Sequence, residues 1–173
     1  METRRYKVNE CITFNSKCKG EEKVLSNMYN YCNIVYDGKL FNSNEQFFSW
    51  MSCEDKSVKD AILACSNAFE VKALVKQYEK DNGLKGVELE KRKFRYMWMG
   101  LRLKARYCKR FRDYLLMSGN IPLVEYCYWL DRTKKDDEVW GTRFDREKGE
   151  YIGYNACGRI MMGIREELKL SNA

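Results

Sequence analysis

The stretch DGKLFNSNEQFFSWM, residues 37 to 51, changes its hydrophobic rhythm partway through. Asp37-Gly38 stands between two β-rich runs, LSNMYNYCNIVY and KLF, and such a dipeptide supplies the turn of a tight hairpin. Shortly afterwards Ser43 and Gln46 have the spacing of a capping box. The serine hydroxyl there accepts from the amide three residues on, while the glutamine side chain reaches back. A chain obliged to close a hairpin and then start a helix within a few residues is neither all-α nor all-β, so an α+β fold is expected. Glu45 falls in the first turn of that helix. Unpaired amides and the helix dipole favour an ionised carboxylate at this position, which is a sufficient structural reason for its presence.

Further helices are expected over 55–65, 67–80, 88–107, 111–117 and 156–168. In the second of these, Asn67 and Glu70 repeat the capping spacing, and Ala68, Val71, Leu74, Val75 and Tyr78 form one apolar stripe. The third carries Phe94, Met97, Trp98, Leu101 and Ala105 at core-facing spacing, and the last carries Ile160, Met161, Ile164 and Leu168. Short strands are expected around Val8, over Ile12 to Phe14, and in IPLVEYCYW, which leads into a polar connection at 131–138. No repeat or linker divides the chain. The fold class expected is therefore mainly helical α+β with a small sheet or hairpin, in one domain over 1–173, with 1–24 as an extension or edge strands.

Composition narrows the chemistry. With 45% hydrophobic and 14% aromatic residues and one proline among 173, the chain has material for a packed core. Its eight cysteines show no CxxC pair, and they read as reduced, buried thiols. Histidine is absent, which excludes a histidine-based triad and the HExxH zinc motif. Acid–base work falls to Asp, Glu, Lys, Tyr or Cys. No run approaches the 18 apolar residues of a membrane span, and Met1 to Lys7 is not followed by an apolar stretch. A cytoplasmic location without membrane partners is the default expectation. The net charge of +7 favours polyanionic partners, although KRKFRYMWMGLRLKARYCKRFR also suits a helix whose charged side chains cover its own apolar surface.

Six blocks carry more than secondary structure: LSNMY (25–29), DGKLFNSNEQFF (37–48), MWMGLRLK (97–104), LLMSGNIPLVE (115–125), DEVWG (137–141) and GYNACGRIMMGIREEL (153–168). In their order they resemble the YbiA-like, or NADAR, family, whose corresponding patterns look like LSNFY, DGxxYxTxEHxFQ, MxxALxxK, LLxTG with LVE, DxxWG and GxNxLGxxLMxxRexL. The resemblance implies a YbiA-like fold and an N-glycosidase that cleaves the ribose C1–N bond of an ADP-ribosylated or phosphoribosylated base. ADP-ribosyl-guanine in nucleic acid and riboflavin-biosynthesis intermediates are the two substrate classes implied, and no cofactor or metal enters.

On this resemblance Glu45, Lys104 and Asp137 are the catalytic candidates: Glu45 as base or charge stabiliser, Lys104 for phosphate contact or imine formation, Asp137 to orient a ribose hydroxyl or water. Ser26, Asn27, Gln46, Phe48, Trp140, Gly141 and Asn155 are the ligand-binding candidates. Trp140 would stack on a base, and Asn155 would meet phosphate or ribose at a helix start, where amides point outward. Plainer readings stand beside these: an exposed helix lysine at 104, an N-cap at 155, and a turn held by side-chain hydrogen bonds at Ser26-Asn27. The chain departs from the family along the Glu45 helix, with Gln46, Ser49 and Ser52 where the family reads His, Gln and Lys. Arg102, Arg106 and Lys39 are the cations considered as replacements. The missing lysine also supports an alternative, a degenerate ADP-ribose- or NAD-derived nucleotide-binding protein, and the charge supports a third, a basic nucleic-acid-binding domain.

Overall fold

The computed structural model describes residues 2–83, 91–133 and 139–171. The backbone gathers into two compact units, one of residues 27–109 and one of the chain up to Ser26 together with the chain from Arg110 onward.

In the 27–109 unit the hairpin forms as the sequence predicts. Strands β3 (Ile34–Tyr36) and β4 (Lys39–Phe41) pair antiparallel. Asp37 and Gly38 both take positive φ, 50° and 68°, the geometry that matches the twist of the flanking strands. Helix α1 (Asn44–Ser52) follows at once, with the Ser43 hydroxyl accepting from the Gln46 amide at 3.2 Å. The Gln46 side chain reaches back one residue beyond the expected partner and accepts from the Asn42 amide at 2.8 Å. Helices α2 (Lys56–Ala64) and α3 (Ala68–Asp81) begin on Asp55 and Asn67, whose side chains each accept two first-turn amides.

Helix α4 (Lys91–Tyr107) closes this unit; the expected residues 88–90 of the same helix lie outside the described ones. Its inward stripe differs from the sequence expectation. Trp98 is exposed, while Met97, Gly100, Leu101, Lys104, Ala105 and Cys108 are buried. Gly100 permits the approach of α1, because a Cβ there would stand 2.1 Å from Asn44 Oδ1 and 2.7 Å from the Phe47 ring. Phe41, Phe47, Ile34 and Ile62 are fully buried around that contact, and Phe47 meets Phe41 edge-on at 5.3 Å.

The other unit holds a three-stranded antiparallel sheet in the order β1 (Arg4–Lys7), β7 (Glu150–Gly153), β6 (Arg143–Asp145), and a parallel pair of β2 (Ile12–Phe14) with β5 (Leu123–Glu125). Val8 opens a 3-10 turn rather than a strand. The expected strand around IPLVEYCYW contracts to β5, and the polar connection begins with a short helix, α6 (Leu130–Thr133). Helix α5 (Lys109–Met117) precedes β5, and α7 (Ala156–Ser171) ends the described chain. Phe14, Phe111, Leu115, Leu123 and Met161 are fully buried here. The architecture is mainly helical α+β. No helix among the described residues is long and apolar enough to cross a membrane.

Candidate functional site

Glu45 sits in the first turn of α1, and its own amide is held by the Asn27 carbonyl at 3.0 Å. The Asn27 side chain is tied to the same turn as well, accepting from the Asn44 amide group at 2.9 Å. Asn27 therefore clamps the beginning of α1. This fixes the carboxylate's position but not its charge. No hydrogen bond or ion pair among the described residues reaches the half-buried Glu45 side chain. Burial raises its pKa above the ordinary carboxyl value, with the positive charge of Lys72 pulling weakly the other way. The sequence expectation is a carboxylate kept ionised by helix amides, and burial works against that ionisation. Desolvation outweighs the attraction of Lys72, and the group holds its proton more readily than a free glutamate does.

Lys104 is fully buried on the inward face of α4, which replaces the exposed-lysine reading. Its ammonium lies 5.8 Å from the centre of the Tyr29 ring, and its positive charge acts on the buried Cys32 thiol. That thiol's pKa is nonetheless raised, chiefly by the hydrogen bond with Cys108 and then by burial. Asn27 and Tyr29, two residues apart, thus touch the Glu45 amide and face the Lys104 head respectively. Gln46 is buried, and its amide group donates to the Ile62 carbonyl at 2.9 Å and the Cys65 carbonyl at 3.3 Å. It acts as a fastening for the end of α2. Phe47 belongs to the core, whereas Phe48 is half-buried on the same side of the helix as Glu45.

In the other unit, Ser26 is buried and closes a 3-10 turn through its amide. Gly141 allows the chain to pass against Cys127, whose sulfur would lie 2.4 Å from a Cβ. The start of α7 is closed: the amides of Asn155, Ala156 and Cys157 donate to the carbonyls of Gly141, Val139 and Trp140 at 3.1, 2.9 and 3.1 Å. Asn155 takes a positive φ of 56°. Its buried side chain clasps β5, accepting from the Glu125 amide at 3.0 Å and donating to the Leu123 carbonyl at 2.8 Å. The outward-pointing amides expected there are occupied by backbone. Trp140 is half-buried, and Asp137 lies outside the described residues.

Two features were not singled out from sequence. Arg159, in the first turn of α7, holds its guanidinium 4.6 Å from the Tyr154 ring, with one buried nitrogen lacking a partner. A hollow of about 260 Å³ at the far end of α1 is lined by Met51, Ser52, Cys53, Glu54, Lys59 and Tyr96. Only Ser52 carried a signal, as the departure from the family lysine. Of the replacement cations, Arg102 and Arg106 are exposed against Trp98 and Tyr107, and Lys39 pairs with Asp37 at 3.2 Å.

The NADAR domain pattern matches residues 13–169. The chain belongs to the NADAR family. Its fold resembles the NMR structure of the E. coli protein YbiA, with a TM-score of 0.67 at 22% identity, covering 94% of this chain and 86% of that one. A riboflavin biosynthesis protein of Vibrio vulnificus (strain YJ016) is 24% identical over 145 residues. That match takes in 84% of this NADAR chain and 35% of the relative, so the chain spans about a third of the relative's length.

Proposed function

We propose that the chain is an N-glycosidase that hydrolyses the C1–N bond between a phosphate-bearing ribose and a nitrogen base, with Glu45 as its acid–base group. The observation that carries this reading is the Glu45 carboxyl: positionally fixed through its amide, without a side-chain partner among the described residues, and raised in pKa by burial. A carboxyl held toward neutrality is suited to protonate a leaving nitrogen, and its anion then stabilises an oxocarbenium-like sugar and takes a proton from water. The C1–N bond breaks, water supplies the oxygen at C1, and its two protons are shared between that oxygen and the departing base. Lys104 provides a buried positive charge for a phosphate or for the anomeric carbon. Asp137, Trp140 and Asn155 enter only through the family pattern.

The favoured substrate is an ADP-ribosylated base in a nucleotide or nucleic acid, in keeping with the net charge of +7. A phosphoribosylated riboflavin intermediate is the second class, in keeping with the name of the Vibrio relative. A second reading, nucleotide capture without cleavage, is favoured by Ser52 in place of the family lysine. One experiment separates them: incubate the wild-type protein and Glu45→Gln with an ADP-ribosyl-guanine oligonucleotide and with a phosphoribosylamino-pyrimidine, and follow both by mass spectrometry. Release of free sugar phosphate by wild type alone is expected. Bound but intact ligand with wild type removes the enzyme reading.

A further inference from the structure

We propose that Cys32 and Cys108 are a redox-sensitive staple: peroxide joins them in a disulfide that ties together the two chain ends of the 27–109 unit, and a thiol reductant reopens it. Neither cysteine is in a disulfide in the structure, and both are buried. Their sulfurs are hydrogen-bonded to one another. The Cys108 sulfur also lies 4.0 Å from the Tyr31 carbonyl, the peptide group that leads into Cys32, and the Cys32 thiol donates to the Tyr29 carbonyl at 3.6 Å. Neither cysteine belongs to a helix or a strand: Cys32 precedes β3, and Cys108 is the single residue between α4 and α5. Each follows an exposed tyrosine, Tyr31 at 79% and Tyr107 at 39%. Both thiols thus sit one residue beneath the surface, within reach of a small oxidant.

The chemistry balances with hydrogen peroxide as the oxidant. Cys32 keeps its proton, through the hydrogen bond with Cys108 and through burial, so the Cys108 sulfur attacks first. It displaces one peroxide oxygen, which leaves as water with the Cys108 proton, and becomes a sulfenic acid. The Cys32 sulfur then attacks that sulfur and expels its hydroxyl, which takes the Cys32 proton and leaves as a second water. Two S–H bonds and the O–O bond break, the S–S bond forms, and each sulfur gives one electron to the peroxide. A thiol reductant reverses the change by exchange. Cys32 lies near the start of the 27–109 unit and Cys108 next to its end, so the bond encloses most of the unit and restricts its unfolded chain. The site feels it as well. Lys104 stands one helical turn before Cys108, and its charge acts on Cys32. A disulfide holds its sulfurs about 2.0 Å apart, closer than two hydrogen-bonded thiols, so oxidation draws the end of α4 toward Cys32. A displacement of about 1 Å at a reacting group can cost about a hundredfold in rate. This last consequence rests on the reading of Lys104 as part of the glycosidase site; the staple itself does not.

Mass spectrometry of the wild-type protein tests the staple without any variant. The protein is treated with hydrogen peroxide, unfolded in an alkylating agent and digested. A peptide pair joined through Cys32 and Cys108 is expected as the main crosslink within the chain, and dithiothreitol should abolish it. Cys32→Ser should leave Cys108 as a sulfenic acid that dimedone traps. Oxidised wild type should unfold at a higher urea concentration than the reduced protein, and Cys32→Ser should show no such difference. Alkylation of both cysteines after peroxide, or either one joined chiefly to a different cysteine, overturns the staple. Turnover of the ADP-ribosyl-guanine oligonucleotide should fall at least about tenfold on oxidation and return with dithiothreitol. Undiminished turnover by the crosslinked protein overturns the effect on the site. Crosslinking in a protein that cleaves nothing even when reduced leaves the staple in place and removes the glycosidase.

Discussion

Helices α1 and α7 begin alike in sequence and differently in structure. Each opens on a polar residue inside a family block, SNEQFF for one and GYNACG for the other. At α7 the first amides are taken by the carbonyls of residues 139–141, and the Asn155 side chain is tied to both ends of β5. At α1 the amides of Glu45 and Gln46 are taken by Asn27 and Ser43, yet the Glu45 carboxyl has no donor among the described residues. One helix start is polar and satisfied; the other keeps a desolvated carboxyl that the charge of Lys72 offsets only in part. Proteins tolerate the second arrangement mainly where the unpaired group has work to do, so the asymmetry ranks Glu45 above Asn155 as a chemical residue.

The largest expected effect tests that ranking. Glu45→Gln should lower kcat by about 10²–10⁴, the range ordinarily lost with a general acid–base group, while circular dichroism shows the fold intact. Asn155→Ala should act in the opposite way. It leaves the Glu125 amide and the Leu123 carbonyl without their partner, which should cost about 2–3 kcal/mol in urea unfolding with KM unchanged in the folded enzyme. A raised KM at wild-type stability would reverse the comparison. Gly100→Ala presses a methyl group onto Asn44, the residue before Glu45, and should cost about 1–2 kcal/mol with a matching fall in kcat as α1 shifts.

The smallest effect concerns acidity. Because burial raises the Glu45 pKa, the folded chain binds that proton more tightly than the unfolded chain does. Its contribution to stability is complete below the ordinary carboxyl value of 4.5 and is lost as pH rises through the folded value. Denaturation of wild type and Glu45→Gln at a series of pH values should therefore show wild type losing ground to the variant across that window. Parallel curves would refute the desolvation argument.

The hairpin and the α1 start were legible in sequence because their signals are local: two residues that accept positive φ, then a serine three residues before a glutamine. The sheet β1-β7-β6 was not. No strand is expected over 143–153, and β7, which β6 flanks, exists by pairing with residues 4–7 at the far end of the chain, which no local window contains. Lys104 stands at a family position, and its residue type alone argues for exposure rather than the burial it has. A sign was present, since 104 lies seven residues after Met97 on the stripe that carries Leu101 and Cys108. Asn155 shows the limit of type and position: an N-cap, a ligand contact and a clasp on a neighbouring strand all call for the same residue at the same place.

Gln46 stands where the family carries histidine, and its amide joins the exit of β4 to the carbonyl end of α2. An amide neither gains nor loses a proton anywhere in the biological range. The bracket next to Glu45 therefore keeps its shape in acid and in base, and protonation of the neighbouring carboxyl alters charge on an unchanging mount. A chain without histidine has thereby separated the part that responds to acidity from the part that holds it.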